Sequence, residues 1–251
     1  SEFAKLGLVL FIADLLARRA HRLDDIHLTL KPVLIVSGVV FLLLLLQPNL
    51  GTTMVTGAIV ASMLFVAGVR LLPLGVVGAM AAAGAAALAV AAPYRRARVV
   101  SYLDPWADPR GDGYQTIQAL VGIAQGGVAG LGLGASRSKW GFLPFAHTDF
   151  VFAIIAEEAG LVGAGAVILL LVGLCWLGIA VALRAPDRFG MLVAAGITTW
   201  RAAQAFVNIG AVIGILPITG VPLPFVSFGG SAMLSTMAAT GILLNVARHV
   251  R

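Results

Sequence analysis

Leu161-Val162-Gly163-Ala164-Gly165-Ala166-Val167-Ile168-Leu169-Leu170-Leu171-Val172-Gly173-Leu174-Cys175-Trp176-Leu177-Gly178-Ile179-Ala180-Val181-Ala182-Leu183 contains no charged side chain. At about 1.5 Å of rise per residue, a helix of this length crosses the roughly 30 Å hydrocarbon core of a bilayer. The apolar run starts earlier, at Phe150, and 150–183 is too long for one crossing. Residues 161–183 can span alone, which leaves 150–160 in a polar cavity or above the hydrocarbon. The whole chain shares this character. It is 60% hydrophobic and 11% charged with a mean hydropathy of +1.00, more apolar surface than a soluble chain of 251 residues can bury. These features make it an all-α polytopic membrane protein.

Six further stretches repeat the pattern, at roughly 2–17, 33–47, 52–69, 71–92, 189–216 and 230–247, giving about seven transmembrane helices. Gln47-Pro48-Asn49-Leu50-Gly51 is a turn signal between two of them. The Ala/Gly-rich run 75–92 reads as a helix packed closely through small residues. Arg18, Arg19, Arg22, Lys31, Arg70, Arg184, Arg188, Arg248 and Arg251 fall at span ends that alternate onto one side, which the positive-inside rule makes cytoplasmic. The other side receives 47–51, 217–229 and the long segment 93–149. That segment carries Arg95, Arg96, Arg98, Arg110, Arg137 and Lys139, but long loops translocate largely regardless of charge. The organisation is therefore one transmembrane domain over 1–251 with a large extracytoplasmic loop at 93–149. Ser1-Glu2-Phe3-Ala4-Lys5 already reads as a helix start and not as a signal n-region, so the chain is expected to begin part-way into a larger protein. The single Cys175 offers neither a disulfide framework nor metal-ligand spacing.

Segment 93–149 is too long for a passive connector. It runs through Tyr94-Arg95-Arg96-Ala97-Arg98, Asp104-Pro105-Trp106, Gly113-Tyr114-Gln115 and a Gly-rich run to Gly134 before Ser136-Arg137-Ser138-Lys139. Its middle, 116–128, is mildly apolar and suits a helix along the interface. Cations beside Gly-rich backbone suit a phosphate or pyrophosphate, and equally suit anionic lipid head groups. At its end, Leu143-Pro144-Phe145-Ala146-His147-Thr148-Asp149-Phe150 sets a carboxylate where a polar loop meets a span. Asp149 fits two roles: N-cap of a helix starting at Phe150, or general base for a bound hydroxyl, with His147 as a second proton carrier. Asp149, Ala153 and Glu157 share one face if the helix is continuous, which places Glu157 about 12 Å deeper. A carboxylate at that depth needs a cavity or a cation. Thr198, Arg201, Gln204 and Asn208 make a polar stripe on the sixth span, so Arg201 is expected to pair with Glu157 or Glu158. Prolines and glycines in 217–231 exclude a helix there. That segment reads as cavity wall, with Ser227 and Ser231 as ligand contacts or as loop and cap residues.

These blocks, in this order along the whole chain, resemble the SEDS family (shape, elongation, division and sporulation). The blocks are 1–6, Gln47-Pro48-Asn49-Leu50-Gly51-Thr52, 94–98, Asp104-Pro105-Trp106, Gly113-Tyr114-Gln115, Gly132-Leu133-Gly134, His147-Thr148-Asp149-Phe150, Glu157-Glu158, Asn208-Ile209-Gly210 and 222–231. Gly132-Leu133-Gly134-Ala135-Ser136-Arg137 and Lys139 lean toward its division-type members. The resemblance implies a fold of about ten membrane helices, of which this chain is similar to the last seven or so. It implies a peptidoglycan glycosyltransferase that polymerises lipid II at the outer face of the bacterial cytoplasmic membrane, with a class B penicillin-binding protein and divisome proteins as partners and no nucleic acid. Asp149 falls where the family's proposed catalytic aspartate lies. It would take the proton from the acceptor's sugar 4-hydroxyl as that oxygen displaces undecaprenyl pyrophosphate from the donor with inversion. Arg95, Arg98 and Lys139 are the candidates to neutralise the leaving group, alone or with a divalent cation such as Mg or Mn. His147, Ser227 and Ser231 complete the implied substrate contacts.

The chain departs from the family pattern at Asn49, where the family carries Asp, and at Arg201, where it carries an apolar or small residue. The family's first three helices are missing, which would remove part of the lipid-binding groove. Three other readings stay open: a lipid II flippase, an elongation-type polymerase, and a scaffold that activates its penicillin-binding partner.

Overall fold

The computed structural model describes residues 1–23, 25–47, 50–70, 75, 78, 84 and 101–250. Among them every regular element is helical: α1 (Glu2–Arg18), α2 (Lys31–Leu46), α3 (Leu50–Ala67), α4 (Tyr114–Gly126), α5 (Val151–Arg184), α6 (Arg188–Val212) and α7 (Gly230–Arg248). Three apolar segments are long enough to cross a membrane, Leu28–Leu46, Val151–Arg184 and Gly230–Arg248, and Gly51–Ala67 is a shorter apolar helix. α1 also has 17 residues, and α6 carries the polar stripe in its interior. The expected spans coincide with these helices except at two places. The sixth stops at Val212, not 216, because Gly214 (φ 77°) reverses the chain and the Ile215 and Leu216 N–H groups both donate to the Gly210 carbonyl. The stretch 71–92, with its small-residue run, lies outside the described residues apart from 75, 78 and 84, as does Asn49. The helix expected over 116–128 is α4.

The chain packs as two compact units. The first combines Ser1–Met80, Gly173–Ala203 and Gly230–Arg251. Its core joins Val9, Ile12 and Leu16 of α1 with Ile59 and Met63 of α3 and Leu192 and Ile197 of α6, all essentially sealed from solvent. Gly196 makes the close approach possible: a Cβ there would stand 2.8 Å from Met63 Sδ and 2.9 Å from Val9 Cγ1. α3 ends in a glycine cap, with Gly68 at φ 88° and Val69 N–H returning to the Leu64 carbonyl.

This unit buries a small ionic cluster. Lys5 Nζ lies 2.6 Å from Glu2 Oε1 and 5.1 Å from the centre of the Trp200 ring, over which the Arg201 guanidinium also stacks at 4.1 Å. Arg201 donates to Thr236 Oγ1 (3.0 Å) and to the Ser235 carbonyl (3.3 Å). The expected pairing of Arg201 with Glu157 or Glu158 is therefore corrected. The guanidinium is held by an aromatic face and α7 oxygens, and both glutamates are occupied elsewhere, as described below. The cluster holds two cations and one carboxylate, which pairs with Lys5 alone. Glu2→Gln is expected to cost about 3–5 kcal/mol by stranding Lys5, whereas Arg201→Leu removes the surplus charge at little cost. Thermal denaturation of the two variants in the same detergent checks this, and a larger loss for Arg201→Leu would contradict it.

The second unit combines Ala81–Val172 and Gln204–Gly229. Phe150, Phe152, Ala153 and Ala156 of α5 pack with Ala119, Leu143, Val212 and Leu223 in its core. Its organising feature is a break inside α5 at Gly160 (φ 65°, ψ −163°). The break frees backbone groups, and the loop after α4 takes them. Leu131 and Gly132 N–H donate to the Glu157 and Glu158 carbonyls (both 3.0 Å), while Leu161 and Val162 N–H donate to the Gly127 and Val128 carbonyls (2.9 and 3.3 Å). A Cβ at Gly160 would collide with Gly130 N and Val128 O, and one at Gly130 (φ 80°) with the Glu158 carbonyl. Glycine is required at both positions for two reasons, the left-handed φ and the backbone contact.

Candidate active site

The chain reaches Asp149 through a turn centred on one carbonyl. Phe145, at φ 56°, accepts the N–H groups of Thr148 (3.1 Å), Asp149 (3.1 Å) and Phe150 (3.4 Å), and the Thr148 hydroxyl at 3.1 Å. A non-glycine residue at positive φ is costly and persists where its surroundings over-determine it. The Phe150 carbonyl accepts the first bonds of α5, from Ala153 (2.9 Å) and Ile154 (3.4 Å). The N-cap position therefore belongs to Phe150 and not to Asp149, which corrects the capping alternative.

Asn208, 2% exposed on α6, clamps this turn to the irregular segment that follows. Its Nδ2 donates to the Asp149 carbonyl (2.8 Å) and to the Val221 carbonyl (2.7 Å). A second strap is Phe228 N–H on the His147 carbonyl (3.0 Å), with the two rings edge-on at 6.0 Å between centroids. Gly220, at φ 68°, places its Cβ direction 3.6 Å from Asp149 Oδ2. Asp149, Asn208, Thr219 and Gly220 line a cavity of about 10 Å³. Asn208 Oδ1 and Thr219 Oγ1 are buried without a hydrogen-bond partner among the described residues. Asp149 thus shares the lining of this small cavity with an amide and a hydroxyl residue. Asn208→Ala is expected to loosen the turn by about 1–3 kcal/mol locally, because two carbonyls lose a buried donor. Faster hydrogen exchange at the Asp149 and Phe228 amides would register it, and unchanged exchange would contradict the clamp.

The other expected site residues divide sharply. His147 is exposed beside Asp149. Ser227 is buried, with its Oγ accepting the Leu223 N–H at 2.7 Å, so its hydroxyl shapes the loop. Ser231 lies exposed in the first turn of α7. Segment 217–229 is irregular, as its prolines and glycines require, and forms the wall opposite Asn208. Arg95 and Arg98 lie outside the described residues.

Lys139, expected on the leaving pyrophosphate, belongs to a structural cluster with both glutamates. Glu157, fully buried, accepts Ser136 Oγ (2.7 Å), Arg137 N–H (2.9 Å) and Ser138 N–H (3.4 Å). Glu158 Oε1 accepts Lys139 Nζ at 2.7 Å and Ser136 N–H at 3.2 Å, and Lys139 also donates to the Gly134 carbonyl at 2.5 Å. The two carboxylates therefore fasten loop 134–140 to α5 at the break. No cluster of three or more His, Cys, Asp or Glu side chains that could hold a metal ion occurs among the described residues.

A larger cavity, of about 390 Å³, opens beside the turn between the start of α4 and the segment after α6. Tyr102, Arg110, Tyr114, Gln115, Phe145 and Ile218 are among its lining residues. Asp149 is not, but Ile218 lines both cavities, and Phe145 supplies the carbonyl on which the Asp149 turn is wound. This cavity was missed from sequence. Gly113-Tyr114-Gln115 was the one signal that could have indicated it.

Comparison with known proteins places this geometry in a family. The cell cycle protein family of FtsW, RodA and SpoVE matches residues 1–251. Stage V sporulation protein E of Bacillus subtilis is 43% identical over 251 residues, covering 100% of this chain and 69% of that protein. A Thioalkalivibrio sulfidiphilus protein named "Probable peptidoglycan glycosyltransferase FtsW" is 43% identical, covering 99% of this chain and 63% of its own length. Among solved structures, a chain of a peptidoglycan synthase complex superposes with a TM-score of 0.79 at 33% identity, covering 99% of this chain and 69% of that one. The Thermus thermophilus rod shape determining protein RodA superposes at 0.66 with 30% identity, covering 100% and 66%.

Proposed function

The chain belongs to the FtsW/RodA/SpoVE family and is a multi-pass membrane protein, and on that premise we propose that its parent is a peptidoglycan glycosyltransferase polymerising lipid II. The chain spans roughly half to two thirds of its relatives' length, from 48% to 69%. The activity is therefore assigned to the parent. The observation that carries the reading is Asp149, held by the Phe145 turn and the Asn208 clamp at the mouth of α5, in a chain whose relatives bear this name.

Asp149 acts as general base. The acceptor's 4-hydroxyl loses its proton to the carboxylate, and the oxygen attacks the anomeric carbon of the donor. The anomeric C–O bond to undecaprenyl pyrophosphate breaks, giving a β-linkage from an α-linked donor in one displacement. The Asn208 clamp fixes the backbone of the base so that its carboxylate meets the incoming oxygen in a constant position. Arg95 and Arg98 are assigned to the leaving pyrophosphate, and His147 and Ser231 to the rim of the site. Lys139 is not included, because Glu158 and the Gly134 carbonyl already occupy it.

The enzyme works at the outer face of the cytoplasmic membrane with a class B penicillin-binding partner. Relatives named as probable FtsW glycosyltransferases, at 38% to 44% identity, support a division-type role. Polymerase and flippase are separated by supplying lipid II in detergent, where there is no bilayer to cross. The full-length protein, with its partner's own active serine blocked, is expected to give glycan strands. Lipid II recovered intact there, together with lipid II transfer across reconstituted vesicles, would favour the flippase.

A further inference from the structure

The irregular segment after α6 buries a hydroxyl that the fold does not use. Thr219 is 8% exposed, and its Oγ1 has no hydrogen-bond partner among the described residues. Buried hydroxyls elsewhere are put to work. Thr56, Thr198 and Thr236 donate to the carbonyl four positions earlier in their helices, at 2.7, 2.7 and 2.6 Å, and Ser227 Oγ accepts the Leu223 N–H at 2.7 Å. Ser37 on α2 is also unpaired, so what distinguishes Thr219 is its surroundings. An unpaired buried hydroxyl costs stability, and a catalytic role is one of the reasons such a group persists.

Thr219 lines the cavity of about 10 Å³ together with Asp149 and Asn208, a space for about one water. Phe150, Ala211, Val212, Ile218 and Val221 add only apolar side chains to that lining. Asn208 Nδ2 is already committed to the Asp149 and Val221 carbonyls, so the amide has only its Oδ1 acceptor left. The Thr219 hydroxyl is then the one side-chain donor of this lining without a task. Gly220 supplies a second observation. Its Cβ direction, at φ 68°, meets only Asp149 Oδ2 within 4 Å, at 3.6 Å, so the carboxylate lies against the segment that carries Thr219. Gly220 is exposed and has no side chain, which keeps that side of the carboxylate open to an incoming hydroxyl. Backbone bonds fix where the Asp149 side chain starts, but the χ2 torsion of an aspartate is broad. A base works only with its oxygen on the proton that it takes.

We propose that Thr219 is a positioning residue for the reaction at Asp149. Unpaired in the resting protein, its hydroxyl donates to the carboxylate as the acceptor sugar enters, and this bond turns the other carboxylate oxygen toward the sugar 4-hydroxyl. The role rests on the polymerase reading. The proton still passes from the 4-hydroxyl to Asp149, and Thr219 keeps its own.

Thr219→Val separates this role from a structural one. Valine matches threonine in shape and removes an unpaired buried hydroxyl, so the full-length variant is expected to melt at the wild-type temperature or above it. Its turnover in lipid II polymerisation should fall about tenfold or more, with KM within about twofold of the wild type. Thr219→Ser keeps the hydroxyl and should recover most of the turnover. Added to Asp149→Asn, Thr219→Val should cost no further turnover, because its effect passes through the carboxylate. Wild-type turnover in Thr219→Val, or a further loss of about tenfold on top of Asp149→Asn, would overturn the role and leave the polymerase reading standing. A lowered melting temperature that Thr219→Ser restores would overturn it too, as the mark of a structural bond. No glycan strands from the wild type would remove the polymerase reading, and this role with it.

Discussion

Asp149→Asn is expected to lower the turnover of lipid II polymerisation by about 10²–10⁴-fold with little change in KM. The amide is nearly isosteric, and two backbone bonds hold the turn on which the residue sits: the Asp149 N–H on the Phe145 carbonyl and the Asp149 carbonyl under Asn208 Nδ2. The turn therefore survives the change, and what disappears is the acceptor for the attacking hydroxyl's proton. Steady-state kinetics of the full-length variant separates the outcomes. A fall in turnover at constant KM marks a base, a rise in KM at constant turnover marks a substrate contact, and unchanged kinetics removes Asp149 from the chemistry.

The second large effect is structural. Glu157→Leu is expected to destabilise the second unit by on the order of 4–5 kcal/mol. Three donors converge on this one buried carboxylate, Ser136 Oγ, Arg137 N–H and Ser138 N–H, and a leucine would leave them without an acceptor in a site closed to water. Glu157→Gln should fall between, because its NH₂ would face a backbone N–H that cannot rotate away. Glu158 is the internal control. Its partner Lys139 retains 29% side-chain exposure, so water screens the pair and Glu158→Gln should cost much less. Thermal denaturation with limited proteolysis of loop 134–140 ranks the three variants. An equal effect at Glu157 and Glu158 would contradict the anchoring role.

Much of the helical plan was legible because apolar length is a one-dimensional signal. The over-long run 150–183 even indicated its own division, since the span expected to begin at Leu161 follows directly on the break at Gly160. Irregular backbone was expected over 217–231 from its prolines and glycines, and it holds up to Gly229, with Gly230 and Ser231 already in the first turn of α7. What the chain did not disclose is which polar groups meet across large separations in sequence. Glu157 and Arg201 looked like partners because each needs an opposite charge at depth. In the fold, Glu157 is satisfied by backbone and serine donors about 20 positions earlier, and Arg201 by an aromatic ring and α7 oxygens. Lys139 looked available to the pyrophosphate for the same reason. The Asp149 clamp lies in the same class: Asn208 was recognised as part of a polar stripe, but its two acceptors were not.

Bond formation at Asp149 is isolated by a single-turnover experiment. Full-length protein in excess over labelled lipid II and a short acceptor strand reports the first glycosidic bond, free of release and processivity. The wild type is expected to form the β-linked product rapidly. Asp149→Asn should bind both partners and form that bond at least about a hundredfold more slowly. Equal rates in the two proteins would rule out Asp149 as the base.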